Sequence, residues 1–105
     1  MILLHIISDK EEQAIEIVDF LMKENMLLDA VMLEKVIVRE NLADSKPEST
    51  TQTLIMGKTK ALLFNTIDEL LKEKYKENMP VIYSLPIVHM DWEQSKKLVN
   101  EVVKV

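Results

Sequence analysis

Cysteine is absent from this 105-residue chain, glycine occurs once, and aromatic residues make up only 5%. Without cysteine there is no disulfide framework, no thiolate zinc site and no cysteine nucleophile. With Gly57 as the single glycine, a dinucleotide-binding fingerprint is excluded. Gly57-Lys58-Thr59 ends like a phosphate-binding loop, but the glycine needed five positions earlier is Gln52, and Lys58 falls inside a predicted strand. Gly57 is therefore expected to mark a bulge or a close backbone approach. Basic residues are also in deficit, 13 against 18 acidic, for a net charge of -5, which argues against a nucleic-acid partner. No apolar run approaches the roughly 20 residues that cross a bilayer, so no membrane partner is expected. The opening Met1-Ile2-Leu3-Leu4-His5-Ile6-Ile7 has no basic flank and runs into Ser8-Asp9-Lys10. It reads as a strand rather than a leader, and a cytoplasmic location is expected.

What is present is a balanced globular composition, 48% hydrophobic and 30% charged, of a size for one core; residues 1–105 form one domain. Ile2 to Ile7 is the first strand, and Ser8-Asp9-Lys10-Glu11 predicts a capping box opening a helix. Ala14, Ile15, Val18, Leu21 and Met22, extended toward Met26, form its apolar stripe opposite Glu12, Glu16, Asp19 and Lys23. The helix is expected to close near Asn25. Leu28 to Glu40 predicts a second strand, and Asp44, Ser45, Lys46, Pro47, Glu48 and Ser49 a hairpin loop. Thr51 to Lys60 returns as the third strand, and Thr66-Ile67-Asp68-Glu69 predicts a second capping box and a helix to about Glu77. After Pro80, Val81 to Val88 is the fourth strand, and Asp91-Trp92-Glu93-Gln94 opens a final helix through Leu98, Val99 and Val102.

This order, βαββαβ with an extra C-terminal helix, predicts an α+β ferredoxin-like sandwich with both main helices on one face of an antiparallel sheet. The far face should then alternate with polar residues, yet it does not. Leu3 and Ile7 oppose Ile2, Leu4 and Ile6; Val31, Leu33 and Ile37 oppose Met32, Val36 and Val38; Val81, Tyr83, Leu85 and Ile87 oppose Ile82 and Val88. Both faces are expected to be buried, the second by the C-terminal helix, another subunit, or both.

No catalytic residues are assigned. Glu11, Glu12, Glu16, Asp19, Asp68, Glu69, Glu73 and Glu77 fit solvated helix faces, and no nucleophile stands beside a base. His5 and His89 are placed on the first and last strands, read as non-adjacent, so that a shared metal site would need a subunit boundary. Met22 and Met26, one helical turn apart, fit ordinary core filling better than copper binding. Asp29 opens an otherwise apolar strand and needs a partner, for which Lys58 and Lys60 are candidates. Tyr83 and Trp92 could stack on a ligand, although Trp92 equally suits anchoring the last helix on the sheet or on a neighbour.

Leu54-Ile55-Met56-Gly57-Lys58-Thr59, Leu70-Leu71-Lys72-Glu73, Met79-Pro80-Val81-Ile82-Tyr83-Ser84-Leu85-Pro86-Ile87 and Asp91-Trp92 together resemble the CutA family. Lys58-Thr59, Pro80, Leu85-Pro86-Ile87 and Trp92 carry the match, and Leu21 to Leu27 resembles the family's first helix end. The resemblance implies a ferredoxin-like subunit of a homotrimer, PII-like in architecture, linked to divalent-ion tolerance and without catalysis. It implies a small ligand or divalent metal ion between subunits. Asp29, Lys58, Tyr83, His89 and Trp92 are the candidate ligand-binding residues, with no metal ligand assigned. The chain departs from the family at Asp29, where a cysteine is usual, at Lys76 to Pro80, and in lacking an aromatic-glycine motif in the hairpin. The rival expectations are a dimeric α+β barrel enzyme or ligand-binding protein using His5 or His89 as base, and an adaptor whose apolar face recruits another protein.

Overall fold

The computed structural model describes residues 1–41, 43–44 and 46–104; Ser45 of the hairpin cluster lies outside them. The elements are β1 (Ile2–Ser8), α1 (Glu11–Lys23), β2 (Val31–Glu40), β3 (Glu48–Thr59), α2 (Phe64–Lys74, entered through a 3-10 turn, Ala61–Leu63), β4 (Val81–Pro86) and α3 (Trp92–Glu101). The sheet order is β2-β3-β1-β4 and each neighbouring pair is antiparallel, the ferredoxin-like arrangement. Among the described residues no helix is long and apolar enough to cross a membrane.

One face of the sheet carries the core. Leu4 and Ile6 of β1 and Ile55 of β3 pack with Ala14, Ile17 and Leu21 of α1, Leu63, Ile67 and Leu71 around α2, and Leu98 and Val102 at the C-terminal end. The buried side of α1 is Gln13, Ala14, Ile17 and Leu21, whereas Ile15 and Met22 are exposed. The stripe is thus rotated by about one position from the expected one. The α1 sequence is apolar on both shoulders, and the rotation chosen brings Gln13 into a buried hydrogen-bonded corner. There the Ser8 hydroxyl lies 2.5 Å from Gln13 Oε1, and Gln13 Nε2 donates to the Asn78 carbonyl at 2.7 Å.

Neither expected capping box forms. Ser8 is the buried last residue of β1 and its hydroxyl accepts from the Lys10 amide at 3.2 Å, so α1 begins at Glu11 without a side-chain cap. Because the 3-10 turn leads straight into α2, Thr66 lies inside the helix, which ends at Lys74 rather than Glu77. The end of α1 and the start of α3 follow the sequence. Asn25 adopts a left-handed φ of 55°, with Asn25 N donating to Met22 O and Met26 N to Leu21 O, a Schellman closure. Asp91 caps α3, accepting from Gln94 N at 3.2 Å.

Gly57 sits within β3 where the chain leaving α1 crosses it. A Cβ there would lie 2.9 Å from Leu27 Cδ2 and 3.0 Å from the Asp29 carbonyl oxygen. The expected close approach is what requires glycine, since its φ is not positive.

β2 is interrupted by a bulge between Leu33 and Val36, with Lys35 at a φ of 57°. Paired residues share a face, so Met32 opposite Ile55 faces the helices, while Val36 and Val38, opposite Gln52 and Thr50, turn to the other side. The extra residue thereby overturns the expected grouping of Met32 with Val36 and Val38, and puts Val36 and Val38 on the same face as Val31 and Leu33. β4 is shorter than expected, because its neighbour β1 begins at Ile2 and pairs with Pro86. Val88 and His89 therefore lie beyond the strand.

Candidate functional site

The face of the sheet away from the helices is apolar and uncovered within the chain. Registers place Val81, Tyr83 and Leu85 of β4, Leu3, His5 and Ile7 of β1, and Leu54 and Met56 of β3 on it, joined by Val31 and Leu33 of β2. Val31, Leu33, Val81, Tyr83 and Leu85 are 42–53% exposed. The expected burial of both faces is therefore not met within the chain. α3 does not supply the second cover, because its Leu98 and the following Val102 join the core described above. Beyond the Ser8–Thr53 pair, Glu48 to Gln52 of β3 have only β2 beside them, so the hairpin continues as a two-stranded ribbon. Ile37 on that ribbon is 76% exposed.

At the opposite end from the ribbon, Asp29 and Lys58 form the ion pair anticipated for Asp29. Lys58 Nζ lies 2.5 Å from Asp29 Oδ2, and the Lys58 amide donates to Asp29 Oδ1 at 3.3 Å. Lys60 is occupied elsewhere, donating to the carbonyls of Val102 and Val103. The pair lines a depression of about 190 Å³ with Leu28, Met90, Gln94 and Lys97. Asp29 is the one carboxylate of that lining and is already engaged by Lys58. A divalent ion would have to displace the lysine, so the donors of a single chain do not fit one. Among the described residues no group of three or more His, Asp or Glu side chains could hold a metal ion.

The remaining candidates lie apart. Tyr83 is on the open sheet face, its hydroxyl 3.1 Å from His5 Nδ1. His89 is exposed in the segment between β4 and α3. Trp92 is 72% exposed with Lys96 Nζ 5.4 Å above its ring, so it does not anchor α3 within the chain. β1 and β4 are sheet neighbours, contrary to the separation expected for the first and last strands, because the split βαβ order inserts β1 between β3 and β4. Gln94 and Lys97 escaped sequence reasoning, although their spacing of three on α3 puts them on one helix face.

Two pairs of side chains carry shifted acidities. Glu11 is raised chiefly by the neighbouring Glu34 carboxylate, and a hydrogen bond that the protonated Glu11 donates to Glu34 adds to it. Glu16 is lowered by the hydrogen bond from Tyr75 and then by Lys74, while burial and Glu16 raise Tyr75. Both pairs lie toward solvent, away from the depression.

The fold and the open face define an α+β domain of the ferredoxin-like class. Its particular form is the CutA fold. CutA1 from Pyrococcus horikoshii superimposes with a TM-score of 0.86 at 24% identity, covering 99% of this chain and 100% of that one. The divalent cation tolerance protein of Thermus thermophilus gives 0.86 at 20% identity, over 98% and 100% of the two chains. CutA1 from Oryza sativa gives 0.87 at 15% identity, over 99% and 94%. No family model matches the sequence, and no curated protein does. The resemblance read from the sequence is thus borne out in the fold, with Lys58-Thr59 closing β3, Leu85-Pro86 closing β4 and Trp92 opening α3.

Proposed function

We propose that this chain is a divergent CutA protein that acts by assembly and binding rather than catalysis. Its open sheet faces pack together in a homotrimer, and its ligands, a small molecule or a divalent ion, sit at the clefts between subunits. The observation that carries this reading is the open face itself. Leu33, Val81, Tyr83 and Leu85 are each more than two-fifths exposed, and a contiguous apolar sheet face of this kind is a protein-interaction surface. The outer ribbon supports it, since two strands alone are marginal in water and gain stability from a neighbour. The choice of three copies rests on the likeness to CutA structures, and the divalent ion on the likeness to the Thermus divalent cation tolerance protein. Lys97 and Gln94 give the Asp29 depression donors for a small polar ligand, and Trp92 offers an exposed ring for stacking elsewhere on α3.

Because the described residues of one chain do not hold a sufficient donor set, an ion would draw on Asp29 and His89 from different subunits. Calorimetric titration of Cu²⁺ and Zn²⁺ into the wild type, Asp29→Ala and His89→Ala tests this. Saturable heat in the wild type that is lost in both variants supports the metal site. No saturable heat in the wild type removes the metal and leaves the assembly to be judged by mass.

A further inference from the structure

We infer that His5 makes docking of the open sheet face pH-dependent, strong in mild alkali and weakened in mild acid; this rests on the proposed assembly through that face. His5 occupies the middle of β1, with Leu3 and Ile7 along the strand and Met56 and Tyr83 as its cross-strand partners. Its ring is tilted 56° to that of Tyr83, with centroids 5.2 Å apart. Nδ1 has the Tyr83 hydroxyl as partner, but Nε2 is shielded from solvent and has no partner. A neutral imidazole meets this environment at modest cost, since one nitrogen is hydrogen-bonded and the other carries no net charge. Protonation makes both nitrogens donors and places a cation where Nε2–H has no acceptor.

The surrounding charges do not compensate. Lys58, diagonal to His5 on β3, is itself a cation, and its counter-charge Asp29 is engaged by it. On the β4 side the facing group is the Tyr83 phenol. Asp9 and Glu40 line a depression beyond Ile7, at the far end of the strand. Among the described residues no helix covers this face. A protonated His5 must therefore swing toward water, which gives up the Tyr83 contact and disrupts the apolar surface that a second copy would cover.

Sedimentation velocity over a dilution series of labelled protein tests this at about pH 8 and about pH 5.8, both above the sequence pI of about 5.0. The wild-type concentration of half-dissociation should rise by about tenfold or more in acid, because each expelled proton costs up to tenfold in association per pH unit. His5→Leu and His5→Gln should assemble with the same midpoint at both pH values. An unchanged wild-type midpoint overturns the inference, as does a parallel acid shift in both His5 variants. A monomer at both pH values instead overturns the assembly on which it rests.

Discussion

Replacing Gly57 by alanine should destabilise the protein, although the same change in an ordinary strand would help it. The backbone there suits any residue, so alanine gains about 0.4–1 kcal/mol from the narrower unfolded ensemble. Against that gain stands the space the methyl must enter. It would meet Leu27 Cδ2 at 2.9 Å, Leu27 Cδ1 at 3.0 Å and the Asp29 carbonyl oxygen at 3.0 Å. Leu27 is 4% exposed within the core, and Asp29 O belongs to backbone held beside β3 by the bond from Leu28 N to Lys58 O at 2.9 Å. Overpacking against groups held in this way costs about 1–3 kcal/mol. The net expectation is a loss of about 1–2 kcal/mol. Urea unfolding at matched protein concentration would show it as a midpoint lowered by roughly 1 M. Leu27→Ala alone should cost about 2–5 kcal/mol, and the double variant should cost less than the two singles together, because the smaller side chain makes room for the methyl. Gly57→Ala as stable as wild type, or additive with Leu27→Ala, would refute the steric argument.

Tyr75→Phe should lower stability at neutral pH, with the difference from wild type shrinking in acid. The folded Glu16 carboxyl is held below its ordinary 4.5, chiefly by the Tyr75 hydroxyl, so this stabilisation is present above that value and is lost as pH falls through the lowered one. Paired urea unfolding at about pH 7 and about pH 3.5 reads the change. Gln13→Leu should cost about 1–3 kcal/mol, since it strips the Asn78 carbonyl and the Ser8 hydroxyl of their buried partner; the loss combined with Ser8→Ala should fall short of the sum. Denaturant unfolding of the singles and the double forms the cycle.

The element order was legible because β1, β2 and β4 are runs rich in Val, Ile and Leu, and because Asn25, Asp91 and Pro80 punctuate it. The helix starts at Glu11 and Phe64 were less so. Ser8 and Thr66 sit in capping-box patterns, but Ser8 is spent on the Lys10 amide and Thr66 falls within a helix begun by a 3-10 turn. The bulge at Leu33 to Val36 was hidden for a similar reason. An extra residue leaves the run looking like uninterrupted alternation, and only pairing with β3 shows that the phase has changed. Of the candidate site, the Asp29–Lys58 pair could be anticipated from a lone carboxylate in an apolar segment. The contributions of Gln94 and Lys97 depend on where α3 docks, which the spacing of its own residues does not determine.

The central claim is that the open sheet face is covered by other copies of the chain. Absolute mass by light scattering after size exclusion, on tag-free protein at low micromolar concentration and about pH 8, tests it most directly. The account predicts three times the 12.2 kDa of one chain for the wild type. Leu33→Asp and Tyr83→Asp, which place a carboxylate on that face, should fall to the mass of one chain while keeping wild-type circular dichroism. A wild-type mass of one chain would contradict the claim outright, and twice the chain mass would transfer the face to a two-sheet, barrel-like dimer.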